Sequence, residues 1–412
     1  MTTLKRKIAV ALASGALVLN ALTPAAYAGT TIQISGNGSS SNSTANVDLS
    51  HTTTVVQNNT ANVDNNIDVD ANTGENDAND NTGGDVSIDT GDADVKANVS
   101  NTLNSNSASV DCCPGGDTEV LISGNGTYSD NNVNLNQTSN VSVYQNNDAD
   151  VDNDVDVDAK TGKNDANDNT GGDVSIDTGS ANVDVSVSTL ANANSARVGS
   201  GDNGGGSLSL RILDNGSNSD NNIDLDLDNS TTVTQDNYAD VDNNVDVDAD
   251  TGKNDANDNT GGEVSIDTGD ADVEATVDNM VNFNWADLNC GCLLDDLLAK
   301  VDGNGTNSDN ELDADLDFDQ KAFQDNDADL DNDLDELDAD TGKNDAEDNT
   351  ASGDDGSDPS IDTGNANVEA SASNAGNVNV VGPDGGFDLP EVSLDFDLSD
   401  LMDLLDLLGL LD

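Results

Sequence analysis

One peptide occurs four times in this chain, and its spacing constrains the fold more than any other feature. Thr-Gly-x-Asn-Asp-Ala-x-Asp-Asn-Thr begins at Thr73, Thr161, Thr251 and Thr341, so its steps are 88, 90 and 90 residues. Asn-Gly pairs at Asn37, Asn125, Asn215 and Asn304 open each copy, and Ile-Asp-Thr-Gly recurs at Ile88, Ile176, Ile266 and Ile361. Four modules therefore follow one another, over 31–120, 121–208, 209–299 and 300–382. A shorter period lies inside each: alanines at Ala45, Ala61, Ala78, Ala93 and Ala108 are 16, 17, 15 and 15 residues apart. Steps of this size suit one turn of a solenoid, in which a turn buries its apolar face only by stacking on its neighbours.

The local pattern is that of strands. Val151, Val155, Val157 and Ala159 share one parity, while Asp152, Asp154, Asp156 and Asp158 share the other. Asn65, Asn153 and Asn243 fall on the apolar parity, where an inward carboxamide is expected to bond backbone at a corner. Glycines at 74, 83, 84 and 91 are expected to supply corners with positive φ. The pattern predicts an all-β, β-helix-like solenoid of four ninety-residue modules with a short C-terminal helix. The alternative is four tandem β-sandwich domains, disfavoured because the short period has no place in a sandwich.

Composition narrows the function. Of 82 acidic residues nine are Glu, leaving 82 − 9 = 73 Asp, and 12 basic residues bring the net charge to −70, which excludes a nucleic-acid partner. Asp, Asn, Gly, Ser and Thr disfavour helix and favour turns. Residues 1–28, with Lys5, Arg6 and Lys7 before an apolar run and Ala26-Tyr27-Ala28 at its end, read as a secretory signal peptide. No transmembrane segment is expected in the mature chain, and the expected location is the extracellular cell surface.

Outward Asp on successive turns would form like-charge columns about 4.8 Å apart. Calcium is the expected remedy, because it takes six to eight oxygen ligands. The candidate ligands in the Asn-Asp-rich loops are Asp77, Asn79, Asp80 and Asp85, then Asp165, Asn167, Asp168 and Asp173, and Asp255, Asn257 and Asp258. Those on the strands are Asp152, Asp154, Asp156, Asp158, Asp246 and Asp248. The loops match neither an EF-hand nor a glycine-rich nonapeptide array, and turn geometry or solvated surface are the competing explanations.

Cysteines stand at two module junctions, Cys112 with Cys113 and Cys290 with Cys292, and export makes disulfides the expectation. At sixteen residues per turn the junctions would lie on the order of 50 Å apart, too far for a bond between them. Residues 383–412 are rich in Leu and Asp and read as a cap or an assembly helix.

In composition and repetition the chain resembles bacterial surface adhesin-like proteins. The expectation is a non-enzymatic structural or adhesin-like protein, calcium-stabilised, that associates with itself or with cell-surface components. A carbohydrate- or ice-binding face would need regular Thr columns, of which Thr52 to Thr54 is the only hint. A polysaccharide-cleaving β-helix ranks lower, since departures from the repeat do not gather catalytic residue types.

Overall fold

The structure is a computed structural model and describes residues 30–111, 117–199, 207–289, 297–350 and 359–382. The described chain is all β, a solenoid of parallel sheets, and one revolution takes a whole module. The first coil holds β1 (Thr30–Ser35), β2 (Asn42–Asn72), β3 (Val86–Asp89) and β4 (Ala93–Asp111). The second holds β5 (Thr118–Ser123), β6 (Asp130–Lys160), β7 (Val174–Asp177) and β8 (Ala181–Gly199). The third holds β9 (Leu208–Leu213), β10 (Asp220–Asp250), β11 (Val264–Asp267) and β12 (Ala271–Asn289). In the fourth, β13 (Leu297–Asp302) is followed by β14 (Asp309–Asp333), β15 (Leu337–Asp340), β16 (Ser360–Asp362) and β17 (Ala366–Val381).

Each strand pairs in parallel with its equivalent one module away, giving the sheets β1-β5-β9-β13, β2-β6-β10-β14, β3-β7-β11-β16 and β4-β8-β12-β17. The register places like on like: Ala61 on Ala149, Val63 on Val151, Asn65 on Asn153. One extra residue in the fourth coil, between Asp333 and Leu337, is taken up where β14 gives way to β15, both paired with β10.

This replaces the sixteen-residue turn. Ala45 and Ala61 lie on the same strand, and sixteen residues of extended chain span roughly 50 Å, so they cannot stack on each other. Ala45 stacks on Val133 and Ala61 on Ala149. The coil is a flattened loop: β2 runs out, the corner at 73–92 turns the chain, and β4 with the next coil's β5 returns. A 31-residue strand is about 100 Å long, whereas four rungs rise only ~14 Å from first to last.

The two legs pack face to face through inward Val, Ala, Ile and Leu. Val133 and Leu135 meet Val120 and Ile122; Val141 and Val143 meet Ala196 and Val198; Val155, Val157 and Ala159 meet Ala181, Val183 and Val185. Apolar parity does flip across the Thr90-Gly91 corner, with Ile88, Ala93 and Val95 all buried.

Between these apolar blocks the interior is polar. Asn59 donates to Asn147 at 3.0 Å, Asn147 to Asn237 at 3.0 Å and Asn237 to Asn326 at 2.9 Å. On the facing leg Asn106 donates to Asn194, which donates to Asn284 and thence Asn379. The two columns also bond across the core, Asn147 to Asn194 at 2.9 Å. Asn65, Asn153, Asn243 and Asn332 form a second ladder. These inward asparagines therefore bond one another in mid-strand, a correction to the expected backbone bond at a corner. Each carboxamide both donates and accepts, so a column of identical residues satisfies itself at the rung spacing.

The expected C-terminal helix lies outside the described residues, as do Cys112, Cys113, Cys290 and Cys292. The expected 50 Å between the junctions does not hold for their flanks: Asp111 pairs with Gly199 and Gly199 with Asn289. Those flanks are two rungs, about 10 Å, apart, so the distance argument against a bond between junctions loses its premise. Among the described residues no helix is long and apolar enough to cross a membrane.

Candidate functional site

Two features repeat in every coil and carry most of the acids: the corner and the outward face of the long strand.

The corner is held by its own turns and by the coil beside it. Thr73 Oγ1 donates to the Gly91 carbonyl at 2.7 Å, and Thr161, Thr251 and Thr341 do the same to Gly179, Gly269 and Gly364. Between these pins, Asp80, Asp168 and Asp258 have φ of 59°, 57° and 55°, a left-handed conformation that Asp tolerates better than most residues. Gly83 and Gly84 also have positive φ, as expected, but Gly74 and Gly91 do not. Glycine is required at 74 for a different reason: a Cβ there would run into the Gly162 carbonyl oxygen one rung away.

The loop's side-chain oxygens serve the neighbouring coils. The Asn79 oxygen accepts from the Asn167 backbone N–H, Asn167 from Asn257 at 2.5 Å and Asn257 from Glu347 at 2.5 Å. Asp85 accepts from the Asp173 N–H at 3.1 Å, and Asp173 from the Glu263 N–H at 2.9 Å. Asn164 and Asn169 play the same part for Asn76 and Asn81, at 3.1 and 2.8 Å. In these bonds a short Asn or Asp side chain reaches an N–H one rung away, a span that a longer side chain would overshoot.

Asp77, Asp165 and Asp255 form a column joined by single bridges. Burial pushes the carboxyls of Asp165 and Asp255 up, and Asp77 adds repulsion at Asp165. Among the described residues no group of three or more His, Cys, Asp or Glu converges as a metal ion would need. The sequence placed Asp77, Asn79, Asp80 and Asp85 in one loop; the structure instead gathers each with its own equivalents along the stack.

The outward columns follow the register. Asp64, Asp152, Asp242 and Asp331 form one, and Asp70, Asp158, Asp248 and Asp338 another. Burial raises Asp156, and repulsion from Asp246, Asp158 and Asp68 adds to it; Asp242 and Asp246 are raised in the same way. Asn relieves some columns: Asn66 and Asn244 donate to the two oxygens of Asp154, each at 3.2 Å. Lys160 sits between Asp158 at 2.7 Å and Asp248 at 3.7 Å. Burial raises Asp248, and Lys160 opposes it.

Sequence reasoning missed the column Asn104, Asn192, Asn282 and Asn377. All four are left-handed, with φ of 54°, 63°, 63° and 55°, and each side chain bonds the next at 3.0–3.1 Å. The signal was an Asn recurring at one place in four otherwise divergent segments. The Thr pair at 52 and 54 does not extend into Thr columns, since Thr52 stacks on Asn140, Ser230 and Asp319. Compared with protein-family models, curated proteins and solved structures, the chain matches none.

Proposed function

We propose that this is a secreted, non-enzymatic structural protein of the cell surface, a stiff acidic solenoid whose carboxylate columns are screened by calcium. The observation that carries the reading is that one acidic face is repeated rung by rung on a scaffold of in-register ladders. Repetition of a face fits presentation or assembly, whereas a reaction needs one differentiated place. Calcium is the fitting counter-ion because hard oxygens at rung spacing, several with raised carboxyls, are what the columns offer. Its binding to the folded state alone would add stability by mass action.

The test is a thermal melt of the mature chain followed by circular dichroism, in chelator and in millimolar calcium. The expected result is a strand signal that melts at least about 10 °C higher in calcium. Equal melting in magnesium, calcium and chelator would leave the columns as plain solvated surface.

A further inference from the structure

The ladders that run through the stack have a direction, and that direction is unfinished at both ends. In the Asn59, Asn65 and Asn104 ladders every side-chain nitrogen donates from the first coil toward the fourth. The glutamine ladder runs the other way: Gln324 donates to Gln235, Gln235 to Gln145 and Gln145 to Gln57, at 2.7–2.8 Å. Asn332 donates across its own coil to Asn374 at 3.2 Å but has no further rung to donate to, and Asn65 begins its ladder with an oxygen that no lower rung meets. We propose that the partner for both ends is a second copy of this chain: the fourth coil of one molecule stacks on the first coil of the next in the same parallel register. This rests on the structural role proposed above and names its partner surface.

Three observations select this partner and this orientation. Stacking fourth on first continues every ladder, nitrogen to oxygen, in both the asparagine and the glutamine columns. Stacking first on first would put oxygen against oxygen in the asparagine ladders.

The second observation is apolar. On the open end Leu316, Ile361 and Val368 are 38%, 44% and 48% exposed, while their equivalents Leu227, Ile266 and Val273 are 1%, 1% and 3% exposed. Carried one rung on, the register places these three over Leu49, Ile88 and Val95 of the next molecule; Ile88 and Val95 are already covered within their own coil, so the apolar surface to be buried is that of the fourth coil's end.

The third is charge. The outward face of β14 carries Asp325, Asp327, Asp329, Asp331 and Asp333; in the same register four of these meet Asn58, Thr60, Asn62 and Asn66, while Asp331 meets Asp64 and continues the acidic column described above. The molecule already uses this pairing between its own coils, Asn62 donating to Asp150 at 3.0 Å and Asn66 to Asp154 at 3.2 Å. Fourth on fourth would set Asp against Asp. Head-to-tail stacking continues the ladders and opposes fewer carboxylates than fourth on fourth, and a head-to-tail contact that is nearly a pure translation does not close into a ring. It builds a filament.

The experiment follows mass distribution and electron micrographs of the full mature chain in millimolar calcium as concentration is raised. Filaments of one coil's cross-section, growing in whole-chain steps, are expected, with a rise per chain of about 19 Å from four rungs. Two variants alter the first coil's open side. Because the Ala93 N–H points to the second coil, as do the groups of Ser41 and Thr73, alternation along β4 and β2 turns the N–H groups of Ser100 and Thr54 outward. Thr54→Pro with Ser100→Pro removes donors only from that edge. Asn58→Asp with Thr60→Asp sets carboxylates opposite Asp325 and Asp327. Both variants should stay folded by circular dichroism, and substoichiometric proline variant should shorten wild-type filaments by capping one end. The aspartate variant should regain extension in high salt.

A folded chain that stays monomeric at every concentration overturns the stacking while leaving the calcium-dependent melt, and so the earlier reading, intact. If only a chain lacking 383–412 forms filaments, that tail is the occupant of the fourth coil's end and the proposal fails. Wild-type filaments indifferent to both variants would also refute it.

Discussion

Asn147 shows what a single position does in this fold. Its oxygen accepts from Asn59 at 3.0 Å and Asn106 at 2.9 Å, and its nitrogen donates to Asn194 at 2.9 Å and Asn237 at 3.0 Å. It is fully buried and also donates to the Ala193 carbonyl at 3.3 Å, so truncation strands several partners, most of them away from water. Asn147→Ala should cost about 2–3 kcal/mol in urea unfolding, since unsatisfied buried amides cost roughly 1–3 kcal/mol each and water in the gap recovers part of it. Asn147→Asp should cost more, because a carboxylate cannot donate to Asn194 or Asn237 and brings a charge into the core. If the two variants unfold at the same urea concentration, the ladder is not a donor–acceptor chain. Gly162→Ala tests contact between coils: its Cβ would meet the Gly252 carbonyl oxygen, forcing two rungs apart. A change of more than about 2 kcal/mol is expected, whereas Gly38→Ala, with open space around its Cβ, should stay within about 0.5 kcal/mol.

At the scale of the strand, the acid columns set how stability changes with pH. Burial and like neighbours hold Asp156, Asp242 and Asp246 above the ordinary carboxylate value of 3.8. A carboxyl with a raised folded-state value takes up its proton first in the folded chain, so the folded state binds more protons than the unfolded one in that interval. Its penalty is present in full at neutral pH and disappears as pH falls through the raised values. Asp340, lowered by Lys343 and the Gly342 N–H, works in the opposite sense, its contribution being lost as pH falls through its depressed value. The raised group is the larger, with Asp165, Asp177 and Asp255 also in it. In chelator the melting temperature should therefore rise from pH 7 toward about pH 4, the reverse of ordinary acid denaturation. In calcium the rise should flatten; a melting temperature that falls steadily with acidification would contradict the column electrostatics. The strands themselves were legible in the alternation of Val155, Asp156 and Val157. What Asn153 and Asn79 bond to was not, because their partners lie a full coil away and the sixteen-residue period pointed to the wrong neighbour.

For the whole molecule, the 88–90-residue step was legible as repetition but not as one revolution, since no local pattern says that a strand of 31 residues runs unbroken. The two lengths make opposite predictions for deletions. Ser129 and Ser219 are equivalent, each preceding the long strand of its coil, and the Asp220 N–H bonds the Ser129 carbonyl. Removing 130–219 joins Ser129 to Asp220 and takes out one coil without shifting any ladder, so Asn59 would meet Asn237 and Gln57 would meet Gln235. If stability is a sum over coils and their interfaces, the shortened chain should fold, melt lower, and lose about a quarter of its denaturant dependence, in step with the surface buried. Removing 61–76 instead leaves a module of the wrong length, sets Asp77 and its corner in the place of the β2 middle, and breaks the Asn65 ladder. That variant should lose the cooperative transition of the first coil. Were the sixteen-residue deletion to melt like the parent while the ninety-residue deletion unfolded, the coil would have to be redrawn with the shorter turn.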